Sequence, residues 1–144
     1  MEKNVAITGS TITIFRIIFY CCSFYFLLMG LSLIFIPELL VQSTSGGNVS
    51  PTIIGMLRGA GGSVLPYSLL YILIVRNPIS RLWAMWVIVT ANIIAIFLDF
   101  GSVFLDEYKL SYAMLDVPVE VLSLIGILII WIKIRSIRKV ISPI

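Results

Sequence analysis

Histidine is absent from this chain, which excludes imidazole-ligated haem, His-based zinc sites and a histidine general base. Charge is scarce as well. Only 12% of the 144 residues are charged and 60% are hydrophobic, whereas a soluble domain carries about 25% charged and about 45–50% apolar residues. That balance excludes a cytosolic enzyme, a nucleic-acid binder and a disordered tail. There are two cysteines, Cys21 and Cys22. Neighbours on a helix point in different directions, so a mutual disulfide or a metal clamp does not suit them, and both read as small lipid-facing or core residues. No metal-ligand spacing and no cofactor motif is visible. A signal peptide is not expected either, because the first apolar run is long enough to span and no small-residue cleavage site follows it.

What is present is a series of long apolar runs. A bilayer needs about 20 apolar residues per spanning helix, and the sequence offers four such runs, at about 17–36, 52–75, 82–105 and 110–132. The expectation is an all-α, integral membrane four-helix bundle, a single domain over residues 1–144 with a basic tail at 133–144. Pro37 stops the first run, and a polar loop over Gln42–Pro51 follows. Pro51 suits the first turn of the second helix. Arg76-Asn77-Pro78 closes that helix, and Asp106–Lys109 forms a tight polar turn before the last one.

Lysine and arginine set the orientation, since short loops rich in them stay cytoplasmic. Lys3, Arg16, Arg76, Arg81, Lys133, Arg135, Arg138 and Lys139 fall on one side, and Lys109 on the other. Both termini are therefore expected in the cytoplasm of a cell with this protein in its plasma membrane, a bacterial inner membrane by its character. Trp83, Trp86 and Trp131 fall at the inner boundary, and Tyr108 and Tyr112 at the outer one, as interfacial aromatics do. The basic tail either contacts anionic headgroups or simply fixes topology and continues the last helix into water. Asn48-Val49-Ser50 matches a glycosylation acceptor pattern of little weight.

Four ionisable residues fall inside the spans: Arg58, Asp99, Asp116 and Glu120. Each costs about 2.5–3.5 kcal/mol to insert, so each should face the bundle interior and find a partner. Counting about 1.5 Å per residue from the span ends puts all four in the outer half of the membrane. Asp116 and Glu120, one turn apart, share a face that Ser123 continues, and Asn92 and Asp99 share one on the third helix. In the second helix Gly55, Gly59 and Ser63 recur every four residues, with Gly61 and Gly62 beside Arg58. Small residues at that spacing let helices approach closely and leave room for a guanidinium, the natural bidentate partner of carboxylates. Pro66 should kink this helix below the cluster and free the carbonyl of Gly62. One arginine against three carboxylates leaves excess negative charge. Either one or two carboxyls keep their protons, or a cation occupies the pocket. The functional expectation is that Glu120 and Asp99 hold a proton, a metal ion or a small cationic or polar ligand, with Arg58 as counter-charge. The plain alternative is a buried salt bridge that only fixes packing. Phe24, Phe26, Met29, Tyr67 and Tyr71 read as lipid-facing or packed side chains.

The segment Gly55-Met56-Leu57-Arg58-Gly59-Ala60-Gly61-Gly62, the helix ending Leu98-Asp99-Phe100-Gly101, the stretch Ile34-Phe35-Ile36-Pro37-Glu38 and the intramembrane Glu120 resemble a family of small bacterial four-helix membrane proteins of unknown function. The resemblance covers nearly the whole chain and implies fold and topology, with Arg58, Gly61, Gly62 and Glu120 as family-like positions. It implies no reaction. More distantly the layout is similar to DoxX-type four-helix proteins, without the redox features sometimes found there.

Three functional classes follow. A small binding or transport protein would use the charged cavity and would need oligomerisation to enclose volume. An accessory or scaffold subunit would need only packing surfaces toward a membrane-protein partner, such as the Gly55–Gly59 face. A membrane enzyme acting on a lipid-like substrate would use Glu120 or Asp99 as general acid or base, but the chain lacks histidine and any nucleophile constellation. Lipids are the expected surroundings in every case.

Overall fold

The computed structural model describes residues 9–45, 50–105 and 110–141. Among them the chain forms five helices and no strand: α1 (Ser10–Phe35), α2 (Pro37–Ser45), α3 (Pro51–Arg76), α4 (Leu82–Phe104) and α5 (Leu110–Ile141). Four of them, α1, α3, α4 and α5, are long and apolar enough to cross a membrane. At about 1.5 Å per residue they exceed the hydrocarbon thickness of about 30 Å.

The boundaries follow local chemistry. The residue before a proline is pushed out of the helical region. Accordingly Ile36 sits at φ −130° and ψ 40°, and α1 ends there. Pro37 then opens the short helix α2, because a proline tolerates a first turn that needs no N–H. The expected loop from Gln42 is thus helical as far as Ser45. Ser50 caps α3, its hydroxyl accepting from Ile53 N–H at 3.3 Å, with Pro51 in the first turn. A further difference concerns helix length: α1 begins at Ser10 rather than near Ile17. α5 runs on through the basic segment to Ile141, as the reading in which the tail continues the last helix has it. Lys3, Asn48, Val49 and the Asp106–Lys109 turn lie outside the described residues.

Contacts arrange the spans in the order α3, α1, α5, α4, with α1 against both α3 and α5, and α5 also against α4. α3 and α4 meet over a short stretch only. The buried core gathers Phe15, Phe19 and Cys22 of α1, Tyr71, Ile74 and Val75 of α3, Ala84, Met85 and Ile88 of α4, and Ile127, Ile130 and Ile134 of α5. Most of these residues come from the start of α1 and α4 and the end of α3 and α5. The apolar packing is therefore concentrated at the end of the bundle that carries Arg76, Arg81, Lys133 and Arg135, here called the basic end. Trp86 and Trp131 meet edge to face there at 6.0 Å, and the Arg135 guanidinium lies 5.4 Å over the Trp131 ring.

The outer surface is apolar, with Phe104 87%, Phe97 75% and Phe35 74% exposed. A soluble monomer rarely shows contiguous apolar surface on this scale. Lipid is its natural solvent, and the chain is a multi-pass membrane protein.

α1 and α3 come close at two glycines. A Cβ added to Gly61 would lie 2.7 Å from the Gly30 carbonyl oxygen and 2.8 Å from Leu33 Cβ, and Leu65 packs against Gly30 in the same way. Gly55, Gly59 and Gly62 face outward, and a Cβ added at any of them would meet nothing within 4 Å.

Candidate functional site

Toward the α2 end the four spans separate around a cavity of about 310 Å³. Its wall takes Tyr25, Phe26, Met29 and Leu33 from α1, Val64 and Tyr67 from α3, Ala91, Asn92, Ala95 and Asp99 from α4, and Asp116 and Glu120 from α5. Asn92, Asp99, Asp116 and Glu120 are thus brought together, as their helix faces suggest. No lysine or arginine stands among the described residues on the wall.

Arg58 is not with them. It is exposed and lies off the cavity wall. The physical reason is the register of α1 and α3. Gly61 faces Gly30, Leu33 and Ile34, so three residues before it on α3 Arg58 comes level with residues 33–37, the last turn of α1. A depth counted from the start of α3 overlooks that its first turns project past α1. Among the described residues the expected Arg58–carboxylate bridge is not formed, and none of the described wall residues is basic.

The carboxylates also sit at different levels. Asn92 Nδ2 donates to the Glu120 carbonyl oxygen at 3.5 Å, and the Cys22 thiol reaches the Val119 carbonyl at 3.8 Å. Glu120 is therefore level with the middle of α1 and α4. Asp116 lies one turn toward the α2 end, and Asp99 about 10 Å from Asn92 in the same direction at about 1.5 Å per residue.

Glu120 is the exceptional group. It is 6% exposed, and its Oε2 is buried with no hydrogen-bond partner among the described residues. Buried polar atoms are otherwise satisfied in the great majority of cases. Asp116 has a partner in the Tyr25 hydroxyl, which also lies 3.2 Å from the Leu115 carbonyl oxygen. Below Glu120, toward the basic end, a closed polar layer seals the floor. Tyr71 and Ser123 share a hydrogen bond of 2.6 Å, and Asn92 Nδ2 donates to Tyr71 Oη at 3.4 Å. Ser23 Oγ donates to the Ser68 carbonyl oxygen at 2.8 Å on the α1–α3 side.

Two prolines lie on helices of the site, both exposed and off the cavity wall. Pro66 in α3 and Pro118 in α5 lie inside unbroken helices. Each removes one backbone donor and leaves the carbonyl four residues earlier, that of Gly62 or of Met114, without its helical partner. Pro118 stands between Asp116 and Glu120 in the sequence and leaves α5 unbroken there.

The aromatic lining is beyond the reach of the sequence pattern. Phe26 stacks on Tyr71 at 5.5 Å and meets Tyr25 at 5.6 Å and Tyr67 at 6.1 Å, while Phe24 faces outward. A signal does exist in Tyr25 and Tyr71. A phenol in mid-span must find a hydrogen-bond partner, and these two find Asp116 and the Ser123–Asn92 layer. Cys22 is buried and Cys21 exposed, both as free thiols. Among the described residues no group of three His, Cys, Asp or Glu side chains can hold a metal ion.

The polar floor gives a first prediction. Tyr71→Phe keeps the ring and strands the fully buried Ser123 hydroxyl, and membrane hydrogen bonds of this kind contribute about 0.6–2 kcal/mol. A modest fall in melting temperature in detergent is expected; an unchanged melt would show that the layer adds nothing to stability.

Compared with known protein families, with curated proteins and with solved structures, the chain matches no family model, no curated protein and no solved structure.

Proposed function

We propose that this four-span protein takes up a cation or a proton in the acidic cavity between its helices, as a small binding or transport protein of the cell membrane. The observation that carries the reading is Glu120. An acidic side chain is held at mid-span with one oxygen buried and without a hydrogen-bond partner among the described residues, beside Asp99 and Asp116 on a wall without a described basic residue. Carboxylates at membrane depth mark ion and proton pathways. The loading of Arg76, Arg81, Lys133 and Arg135 at one end supports a cytoplasmic basic end, which would open the cavity toward the outer leaflet.

The test uses the purified chain in detergent and dicyclohexylcarbodiimide, an apolar reagent that modifies carboxyl groups in lipid-like surroundings. Mass spectrometry is expected to map the adduct to Glu120, with slower labelling in the presence of sodium, potassium or an organic ammonium ion. Labelling at the same rate in every salt and at every pH would refute the reading. Arg58→Gln is expected to leave both labelling and folding unchanged, because Arg58 stands off the wall.

A second reading, an accessory subunit, is favoured by one observation: Gly55, Gly59 and Gly62 leave an open, closely approachable face on α3. Gly59→Leu would then shift the protein to a smaller assembly on size exclusion while its melt does not fall.

A further inference from the structure

We propose that the occupant of the cavity is an organic ammonium ion with an apolar body, held with its charged nitrogen toward Glu120 and its body against the aromatic wall. The inference rests on the cation reading above and narrows it from charge to chemical class. Three independent features of the wall support it.

The first is size. A volume of about 310 Å³ would hold about ten water molecules at about 30 Å³ each, so a bare alkali ion would leave most of it unfilled. Pockets for small organic molecules begin at about this volume. The second is donor geometry. A metal ion needs several ligand atoms converging on one point, and no three acidic groups among the described residues do so. Asp99, Asp116 and Glu120 instead ring the space at successive levels. The third is the lining. Tyr25, Phe26 and Tyr67 stand on the same wall as the carboxylates, with Met29, Leu33 and Val64 around them. Aromatic faces attract cations, with quaternary ammonium ions bound best in aromatic cages, and the apolar remainder suits the hydrocarbon part of such an ion.

α3 and α4 meet over a short stretch only, and an amphiphilic cation would enter the cavity from the hydrocarbon layer between them. A lipid headgroup carries the same ammonium chemistry. Its phosphate, however, would face Glu120 and Asp116 and would find no lysine or arginine among the described wall residues to hold it, which favours a free ion.

Benzyltrimethylammonium serves as the probe, with neopentylbenzene as its uncharged isostere and sodium as the bare charge. With wild-type protein in phosphatidylglycerol nanodiscs, benzyltrimethylammonium is expected to slow carbodiimide labelling of Glu120. Matched concentrations of sodium or neopentylbenzene should leave it nearly unchanged. Phe26→Leu should weaken the protection about tenfold, as loss of a desolvated cation–π contact implies. The wild-type comparison does not depend on that variant folding. Sodium protecting as well as the organic ion would overturn this inference and leave the cation reading standing. Protection by neopentylbenzene alone, or by none of the three, would overturn both. Repeating the assay in phosphatidylethanolamine nanodiscs separates the sources: labelling already slow without probe identifies a headgroup as the ammonium ion, and labelling at the original rate identifies a free one.

Discussion

Gly61→Leu is expected to abolish most of the folded yield and to lower the melting temperature sharply in whatever protein survives purification. A Cβ at this position meets the backbone oxygen of Gly30 at 2.7 Å, and backbone cannot rotate away as a side chain can. The remedy is to move α1 from α3, the most extensive helix pair in the bundle. Overpacking a well-fitted core costs about 1–3 kcal/mol for added methylenes, and the leucine adds four carbon atoms against a helix backbone. Separation would also break the Ser23–Ser68 hydrogen bond, since both partners lie on the parting surfaces. Gly59→Leu supplies the contrast. Its Cβ meets nothing within 4 Å, and replacing a mid-helix glycine gains helix propensity of up to about 1 kcal/mol. Thermal melts of the two variants in one detergent should diverge widely. If Gly61→Leu melts with the wild type, the close α1–α3 approach is wrong.

That contrast also shows how far the sequence can be read. Small residues at Gly55, Gly59, Gly61 and Gly62 announce a close helix approach, but they do not say which glycine makes it. The choice depends on the rotation of α3 about its axis, which is fixed by what α1 offers. Gly30, inconspicuous in an apolar run, is the other half of the contact. Arg58 misleads for a related reason. Its depth counts from the end of its own helix, whereas its surroundings depend on where α1 stops, and Pro37 stops α1 level with it. The helices themselves are legible because composition alone dictates them in lipid: every backbone polar group must be satisfied within the segment. The carboxylates are legible because i, i+4 and i, i+7 spacings survive any packing. The aromatic wall is not, since Phe26 and Tyr67 carry no polar periodicity that separates a cavity from lipid. The tyrosine hydroxyls, which need partners, carry information about neighbours, as the pairings of Tyr25 and Tyr71 show.

Glu120→Met is expected to raise the melting temperature while ending cation-dependent behaviour. The sign follows from the state of the side chain. Glu120 is 6% exposed, and its Oε2 lacks a hydrogen bond among the described residues. An unsatisfied buried polar group costs about 1–3 kcal/mol, and a carboxylate near the bilayer centre costs at least as much. Methionine has a similar length, fills gaps flexibly and carries no such burden. The Asn92 contact to residue 120 survives because it uses the backbone oxygen, and the Tyr71–Ser123 pair below is untouched. A gain of about 1–3 kcal/mol should therefore appear, opposite in sign to the loss expected for Tyr71→Phe one layer away. A residue kept for packing would behave the other way, because removing one member of a satisfied buried pair is strongly destabilising. The comparison thus separates an acid retained for what it binds from an acid retained for what it holds together. A melt that falls on Glu120→Met would make Glu120 a structural residue, and the cavity would lose its claim to be a cation site.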